Sequence, residues 1–294
     1  RRSRRGSFGR DLVELFRHFV RWGLAKRTVR IRVGGDERRV ETGAGGWFAA
    51  RLAPRRLDAD AVWQEAELEL EDGAAEGRAL VFAPAEAPGF VVVSDIDDTV
   101  MDTGVARKAR MLWRLFFTDA EARVAFPKVP AFYRALHAGP SGQAKNPMLY
   151  VSRGPWSIRP VIEQFFQDRD IPDGPVVFLR DWGLSLQHPL PRRSEAHKHA
   201  LIATMVDVYD PQPFVLIGDS GQHDPEVYVD IAEAWPGRVR AIYIRDVTGT
   251  RARAEAIAAL GPRAERAGAR LILAPDVEPM ARDAALQGFI PQSA

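Results

Sequence analysis

Cysteine is absent from all 294 residues, which removes disulfides, thiolate metal sites and cysteine nucleophiles together. Lysine is scarce: five stand in the sequence, at 26, 108, 128, 145 and 198, and arginine supplies the other basic residues. That bias reads as a property of the source, and it makes each lysine more informative. An excess of one charge is lacking too. With 41 basic and 39 acidic residues the formal net charge is +2, which gives no ground for expecting a nucleic-acid partner. No run approaches the ~18–20 consecutive apolar residues of a membrane-spanning helix, and no secretory signal pattern opens the sequence. A cytoplasmic chain, at most peripheral to a membrane surface, is the expectation. Residue 1 is arginine rather than methionine, so natural residues are expected before it.

What is present exceeds the usual size of one compact domain. Residues 1–25 form a basic segment in which Leu12, Leu15, Phe16, Phe19 and Val20 fall near one helical face. An amphipathic helix is expected there, docked on its own protein or, alternatively, lying on anionic lipid. Residues 26–83 change to short alternating segments, Thr28–Val33, Arg39–Thr42, Trp47–Leu52, Val62–Leu70 and Arg78–Phe82, separated by glycine-rich turns. They predict a small β-rich, sandwich-like domain without evident chemistry. Residues 84–89 have linker composition. From 90 to 294, apolar runs of strand length (Phe90–Ser94, Met148–Ser152, Val176–Leu179, Phe214–Ile217, Val239–Ile244, Leu271–Leu273) alternate with helical patterns. That rhythm predicts an α/β domain with a doubly wound parallel sheet.

Ligands of such sheets bind beyond the carboxyl ends of the strands, so the residues that follow each apolar run matter most. The first run opens into Ser94-Asp95-Ile96-Asp97-Asp98-Thr99. Clustered carboxylates are costly unless a cation neutralises them, and hard oxygen ligands suit Mg²⁺, which commonly also binds substrate phosphates. Asp95 and Asp97, two apart, share one side of an extended segment. The second run ends in Ser152-Arg153-Gly154-Pro155 and opens a helix, where a hydroxyl beside backbone N–H groups makes a phosphate cradle. Lys198 begins the polar side of a later helix and offers an ammonium to a phosphate. The fourth run ends in Gly218-Asp219-Ser220-Gly221-Gln222-His223-Asp224, and its carboxylates would complete the cation site. His197 and His199 are expected to be surface or packing residues, and Trp156 and Trp182 packing residues. His223 is left open between local structure and substrate contact, and Asp98 and Asp102 are unassigned.

Taken in order, Asp-x-Asp-x-Thr, Ser, Lys and Gly-Asp-x-x-x-x-Asp resemble the four motifs of the haloacid dehalogenase superfamily. Ser94 to Val100, Ser152-Arg153-Gly154-Pro155-Trp156, Ile217 to Gly221 and Ile242-Tyr243-Ile244-Arg245-Asp246-Val247 further resemble the catalytic domain of the actin-patch-associated phosphatidate phosphatases and their bacterial relatives, over roughly residues 90–250. Thr42-Gly43-Ala44-Gly45-Gly46-Trp47-Phe48 is similar to the front domain of those bacterial relatives. The resemblance implies a Rossmann-like core with a small cap. It implies Asp95 as the nucleophile that becomes an aspartyl-phosphate and Asp97 as general acid and then base. Thr99 would hold the loop, and Ser152 and Lys198 would bind phosphoryl oxygens. Mg²⁺ would be held by Asp95, the Asp97 carbonyl and Asp219, with Asp224 as a further ligand or the support of one. Arg153 departs from the Ser-Asn-Ser-Pro-Trp common among the lipid phosphatases, and it could meet a second acidic group or solvent.

The stretches 99–148 and 152–198 are too short for a large cap, so an open site is expected, suited to a phosphate on something large. Phosphatidate, hydrolysed to diacylglycerol, is the leading expected substrate, with peripheral membrane contact. The alternatives are a phosphatase for a nucleic-acid end or soluble metabolite, with Arg153 and Arg159 binding further anionic groups, and a lipid- or partner-binding module with an inactive core.

Overall fold

A computed structural model describes residues 24–43, 46–58, 61–84, 88–96, 128–153, 159–178 and 194–292. The amphipathic pattern from Leu12 to Val20 lies outside these residues, as do Asp97, Asp98, Thr99, Asp102, Trp156 and Trp182. The chain divides into two compact units, Arg1–Ala85 and Glu86–Ala294.

In the first unit, β1 (Thr28–Val33), β2 (Asp36–Glu41), β3 (Trp63–Leu70) and β4 (Glu76–Phe82) form one antiparallel sheet in the order β2-β1-β3-β4. The sequence of β1 shows why. Val29, Ile31 and Val33 alternate with Arg30 and Arg32, so one face is buried while the other carries charge. Gly34 and Gly35, both at positive φ (53° and 81°), make the two-residue turn that pairs Val33 with Asp36. Paired positive φ values match the twist of a tight hairpin and favour glycine. On the charged face Arg32 meets Glu69 at 2.7 Å and Glu67 at 3.3 Å, and Arg30 meets Glu69 at 3.4 Å.

Two expectations for this unit need correcting. Trp47–Leu52 is not a strand, and among the described residues the unit has one sheet rather than the two layers of a sandwich. The period of two is real, since Phe48, Ala50 and Leu52 are less exposed than Trp47, Ala49 and Arg51. Such a period reports extended backbone, not a ladder partner. Beyond this stretch the Ala53 N–H is held by the Asp36 side chain at 2.6 Å, and Pro54 has no N–H to offer a ladder.

The second unit runs β5 (Val91–Asp95), α1 (Val129–Ala138), β6 (Met148–Ser152), α2 (Arg159–Asp168), β7 (Val176–Phe178), α3 (Ser194–Val208), β8 (Phe214–Asp219), α4 (Asp224–Ala234), β9 (Val239–Arg245), α5 (Arg251–Ala258), α6 (Gly261–Arg266), β10 (Arg270–Ala274) and α7 (Glu278–Leu286). Its six strands are all parallel, in the order β10-β9-β8-β5-β6-β7. This is the doubly wound arrangement expected, and strand order reverses between β5 and β8, where such folds open a crevice. Every residue of β5, β6 and β8 is buried, as layers on both faces require. Val92, Met148, Tyr150, Val215, Ile217 and Tyr243 form one core with side chains of α1, α2 and α7.

Helix α5 ends at Ala258, and a separate short helix, α6, starts at Gly261 with Pro262 in its first turn. Proline lacks the N–H that a continuous helix would need there, but suits a first turn. Among the described residues no helix is long and apolar enough to cross a membrane.

Candidate active site

Asp95 is the last residue of β5 and Asp219 the last of β8, so the two strands at the switch point each deliver a carboxylate to the same edge. Both are fully buried. Successive strand residues face opposite ways, and the two ends of the Ser94-Asp95 pair are fixed accordingly. The Ser94 hydroxyl donates to the Asp95 carbonyl at 2.9 Å and lies 2.6 Å from the Tyr133 hydroxyl of α1. A serine has one hydroxyl proton, so Tyr133 is the donor in that second contact. The Asp95 side chain turns instead toward α3.

There it meets Lys198. The ammonium donates to Asp95 Oδ1 at 2.6 Å and to Asp224 Oδ1 at 2.6 Å, with all three side chains at most 3% exposed. Lys198 does not begin a polar side of α3, as its sequence context suggested. It stands on the buried face in register with Ile202, Met205 and Val206. The Tyr228 ring lies beside it, with the Lys198 nitrogen 5.5 Å from the ring centroid. Burial alone would lower the lysine pKa, but the Asp224 and Asp95 carboxylates outweigh it and hold the pKa above the ordinary value. The Tyr228 hydroxyl, raised well above its ordinary value by burial and then by Asp224, Asp95 and Asp219, stays neutral. It donates to the Ile217 carbonyl at 3.1 Å.

The turn from Asp219 to Asp224 closes the site. The Gly221 N–H donates to Asp219 Oδ1 at 2.7 Å, and the Asp219 N–H donates to Asp224 Oδ2 at 3.4 Å. Gly218 allows α4 to come this close. A Cβ there would lie 2.8 Å from the Asp224 Cβ and 2.9 Å from the Tyr228 ring. The Ser220 hydroxyl donates to Asp246 at 2.9 Å, tying the ends of β8 and β9 together.

Asp95, Asp219 and Asp224 each offer one oxygen to a group in which all three lie within 4.8 Å of one another. Three buried carboxylates against one ammonium form a hard, anionic oxygen set, so the residues present fit a divalent cation such as Mg²⁺. Ser152 ends β6 beside β5, fully buried at the same edge. Arg153 follows it, half-buried, and donates to the Gln222 side chain. A small cleft is lined by Arg153, Glu195, Lys198, His223, Asp224 and Val227. His223 is largely exposed and lies 3.3 Å from Glu195, outside the carboxylate group. His199 packs near Trp235, ring centroids 6.4 Å apart. Arg159 is 2.6 Å from Glu163, one turn along α2.

The structure thus brings together Asp95, Lys198, Asp219 and Asp224, with Ser152 and Arg153 at the same edge. Asp97 and Thr99 lie outside the described residues. Sequence reasoning quoted Ser220 and Asp246 within motifs without a role for either, and missed Tyr133, Tyr228 and Arg253. Tyr228 carried a usable signal, four residues after Asp224 on the buried face of α4. Tyr133 and Arg253 carried none.

A doubly wound sheet with a lysine-bridged carboxylate cluster at its switch point agrees with the resemblance stated for the sequence motifs. Residues 90–246, more than half of the chain, match the family model for the catalytic domain of phosphatidate phosphatase APP1, and the chain belongs to that family. It is 33% identical over 158 residues to Phosphatidate phosphatase APP1 of Saccharomyces cerevisiae, covering 53% of this chain and 26% of that protein. It is 28% identical over 159 residues to an uncharacterised protein of Schizosaccharomyces pombe, covering 54% of this chain and 25% of that one. The match therefore spans about a quarter of the length of either curated relative. The crystal structure of a protein described as a haloacid dehalogenase-like hydrolase from Burkholderia xenovorans overlays with a TM-score of 0.37 at 13% identity, over 54% of this chain and 83% of that one. That similarity is too slight to carry an inference about this chain.

Proposed function

We propose that this chain is a Mg²⁺-dependent phosphatase that hydrolyses a phosphomonoester through an aspartyl-phosphate on Asp95. The observation that carries the reading is the position of Asp95, buried at the switch point with Lys198 at 2.6 Å and within the carboxylate group of Asp219 and Asp224. A carboxylate oxygen of Asp95 attacks phosphorus, the bond to the leaving oxygen breaks, and Asp97 supplies the proton to the departing alkoxide. Water then attacks the aspartyl-phosphate while Asp97 takes up its proton, releasing inorganic phosphate and restoring Asp95. Lys198 keeps Asp95 oriented and, with Ser152, faces the transferring oxygens. Asp95, Asp219, the Asp97 carbonyl and Asp224 would hold Mg²⁺. When bound it supplies positive charge to the phosphoryl oxygens and offsets the repulsion among the carboxylates. The assignments to Asp97 and Thr99 rest on the motif alone.

Phosphatidate, yielding diacylglycerol, is the proposed substrate, supported by the family and by the name of the yeast relative. Work at a lipid surface is further supported by the basic amphipathic pattern within residues 1–25. The test is Mg²⁺-dependent phosphate release from phosphatidate in mixed micelles, sugar phosphates and phosphorylated oligonucleotides, with and without Asp95→Asn. Turnover is expected on micellar phosphatidate and to fall at least ~10³-fold in Asp95→Asn. Activity surviving that substitution sinks the nucleophile assignment. Equal or better turnover of soluble phosphates, or of oligonucleotide ends, replaces the lipid with that substrate.

A further inference from the structure

We propose that Arg253 is a positioning residue for the cation site, fixing the spacing of Asp219 and Asp224 by gripping the turn between them. The inference rests on reading those carboxylates as cation ligands. Arg253 stands on α5, beyond the segment 90–246 that matches the family. Its side chain is 21% exposed and its guanidinium makes four hydrogen bonds. Nε donates to the Ser220 carbonyl at 2.8 Å and Nη2 to the Gln222 carbonyl at 2.6 Å. Nη1 and Nη2 also grip Glu226 in the first turn of α4, at 2.5 and 3.0 Å.

The pattern of these bonds gives the residue its role. Inside the turn, the N–H of Gly221 is used by Asp219 and that of Ser220 by the Arg245 carbonyl. The carbonyls of Ser220 and Gln222 accept from the rigid guanidinium fork, which also holds the helix that Asp224 begins. Asp219 and Asp224, at the two ends of the turn, are thereby tied to one planar group. A lysine could reach one of these acceptors but could not hold all of them in fixed relation. Outer partners that orient metal ligands typically contribute ten- to a hundredfold to metal affinity.

A purely structural role, gluing α5 to α4, has an internal comparison. Arg263 also clamps α4, at Asp230 (2.9 Å) and Glu233 (2.6 Å), both further along that helix than Asp224. The experiment is calorimetric Mg²⁺ titration of the full chain as wild type, Asp219→Asn, Arg253→Ala, Arg253→Lys and Arg263→Ala, with folding checked by circular dichroism. The dissociation constant is expected to rise about tenfold or more in Arg253→Ala, to rise less in Arg253→Lys, and to stay at the wild-type value in Arg263→Ala. Wild-type affinity in Arg253→Ala, or an equal loss in Arg263→Ala, overturns the proposal while the cation site stands. If Arg253→Ala does not fold, wild-type affinity in Arg253→Lys overturns it. A wild type that binds no Mg²⁺, or binding unchanged in Asp219→Asn, overturns the cation reading and this one together.

Discussion

The two units use the same chemical pairing to opposite ends. On the β1 face, Arg32 meets Glu69 at 2.7 Å with the side chains 43% and 37% exposed. At the end of β5, Lys198 meets Asp95 at 2.6 Å with both at most 3% exposed. Distance does not separate these pairs. Water does. An exposed pair gains modest Coulomb energy, spends side-chain entropy and is screened, so it contributes roughly 0–1 kcal/mol. A buried pair carries a large desolvation cost, and removing one partner leaves a charge that nothing compensates. A chain that keeps three carboxylates and an ammonium where apolar side chains would be more stable is holding them for what they do together.

The contrast can be broken in three places. The largest effect is expected from Lys198→Ala, which leaves Asp95 and Asp224 facing each other. Stability without divalent cation should fall by about 3–5 kcal/mol, with Mg²⁺ restoring part of it. Urea unfolding with EDTA and with Mg²⁺ measures both, and a loss below about 1 kcal/mol would place this pair with the surface ladder.

Asp246 stands between the extremes. Burial alone would raise its pKa, but donors from Gly249, Ser220 and Thr248 outweigh it and hold the carboxyl below its ordinary 3.8. A carboxyl depressed in the folded state stabilises above its unfolded value, and that contribution is lost as pH falls through the folded one. Open to solvent as it is, this carboxylate is partly screened, so Asp246→Ala should cost about 1 kcal/mol at pH 7. The gap to wild type should narrow as pH drops below 3.8, and a gap that does not change with pH would remove the carboxylate from the account. The smallest effect is expected from Glu69→Gln on the β1 face, under about 1 kcal/mol at low salt. It should fade as added salt shortens the screening length; a larger, salt-insensitive loss would mean that the ladder is not merely superficial.

The same difference in burial explains what could be read from the sequence. Strands buried on both faces stand out as apolar runs, so the six strands of the parallel sheet were legible to within a residue or two at most ends. The position of Asp95, Ser152 and Asp219 at one edge of the sheet was legible because each stands at or just past the end of such a run. In the antiparallel unit the signal is a period of two, which extended but unpaired chain shares, and Trp47–Leu52 was misread on that account. Lys198 was noticed for its rarity and its place before β8. Its direction was misread, because a polar residue within an apolar stripe looks like the edge of the stripe until the fold supplies buried carboxylates to meet it. Tyr133 and Arg253 act across long sequence separations through single hydroxyl and guanidinium groups, and no local pattern marks them.

Strand order has a kinetic consequence. β5 is central, yet its neighbour β8 and the lysine that meets Asp95 come late, Lys198 being 103 positions further along the chain. Closing so long a loop precedes any reward from the contact, and parallel pairing of this kind is intrinsically slow. During synthesis Asp95 emerges well before Lys198, Asp219 or Arg253 exist to receive it. The cluster of carboxylates and ammonium is thus completed only when the chain has been made through Asp224, more than a hundred residues after its first member.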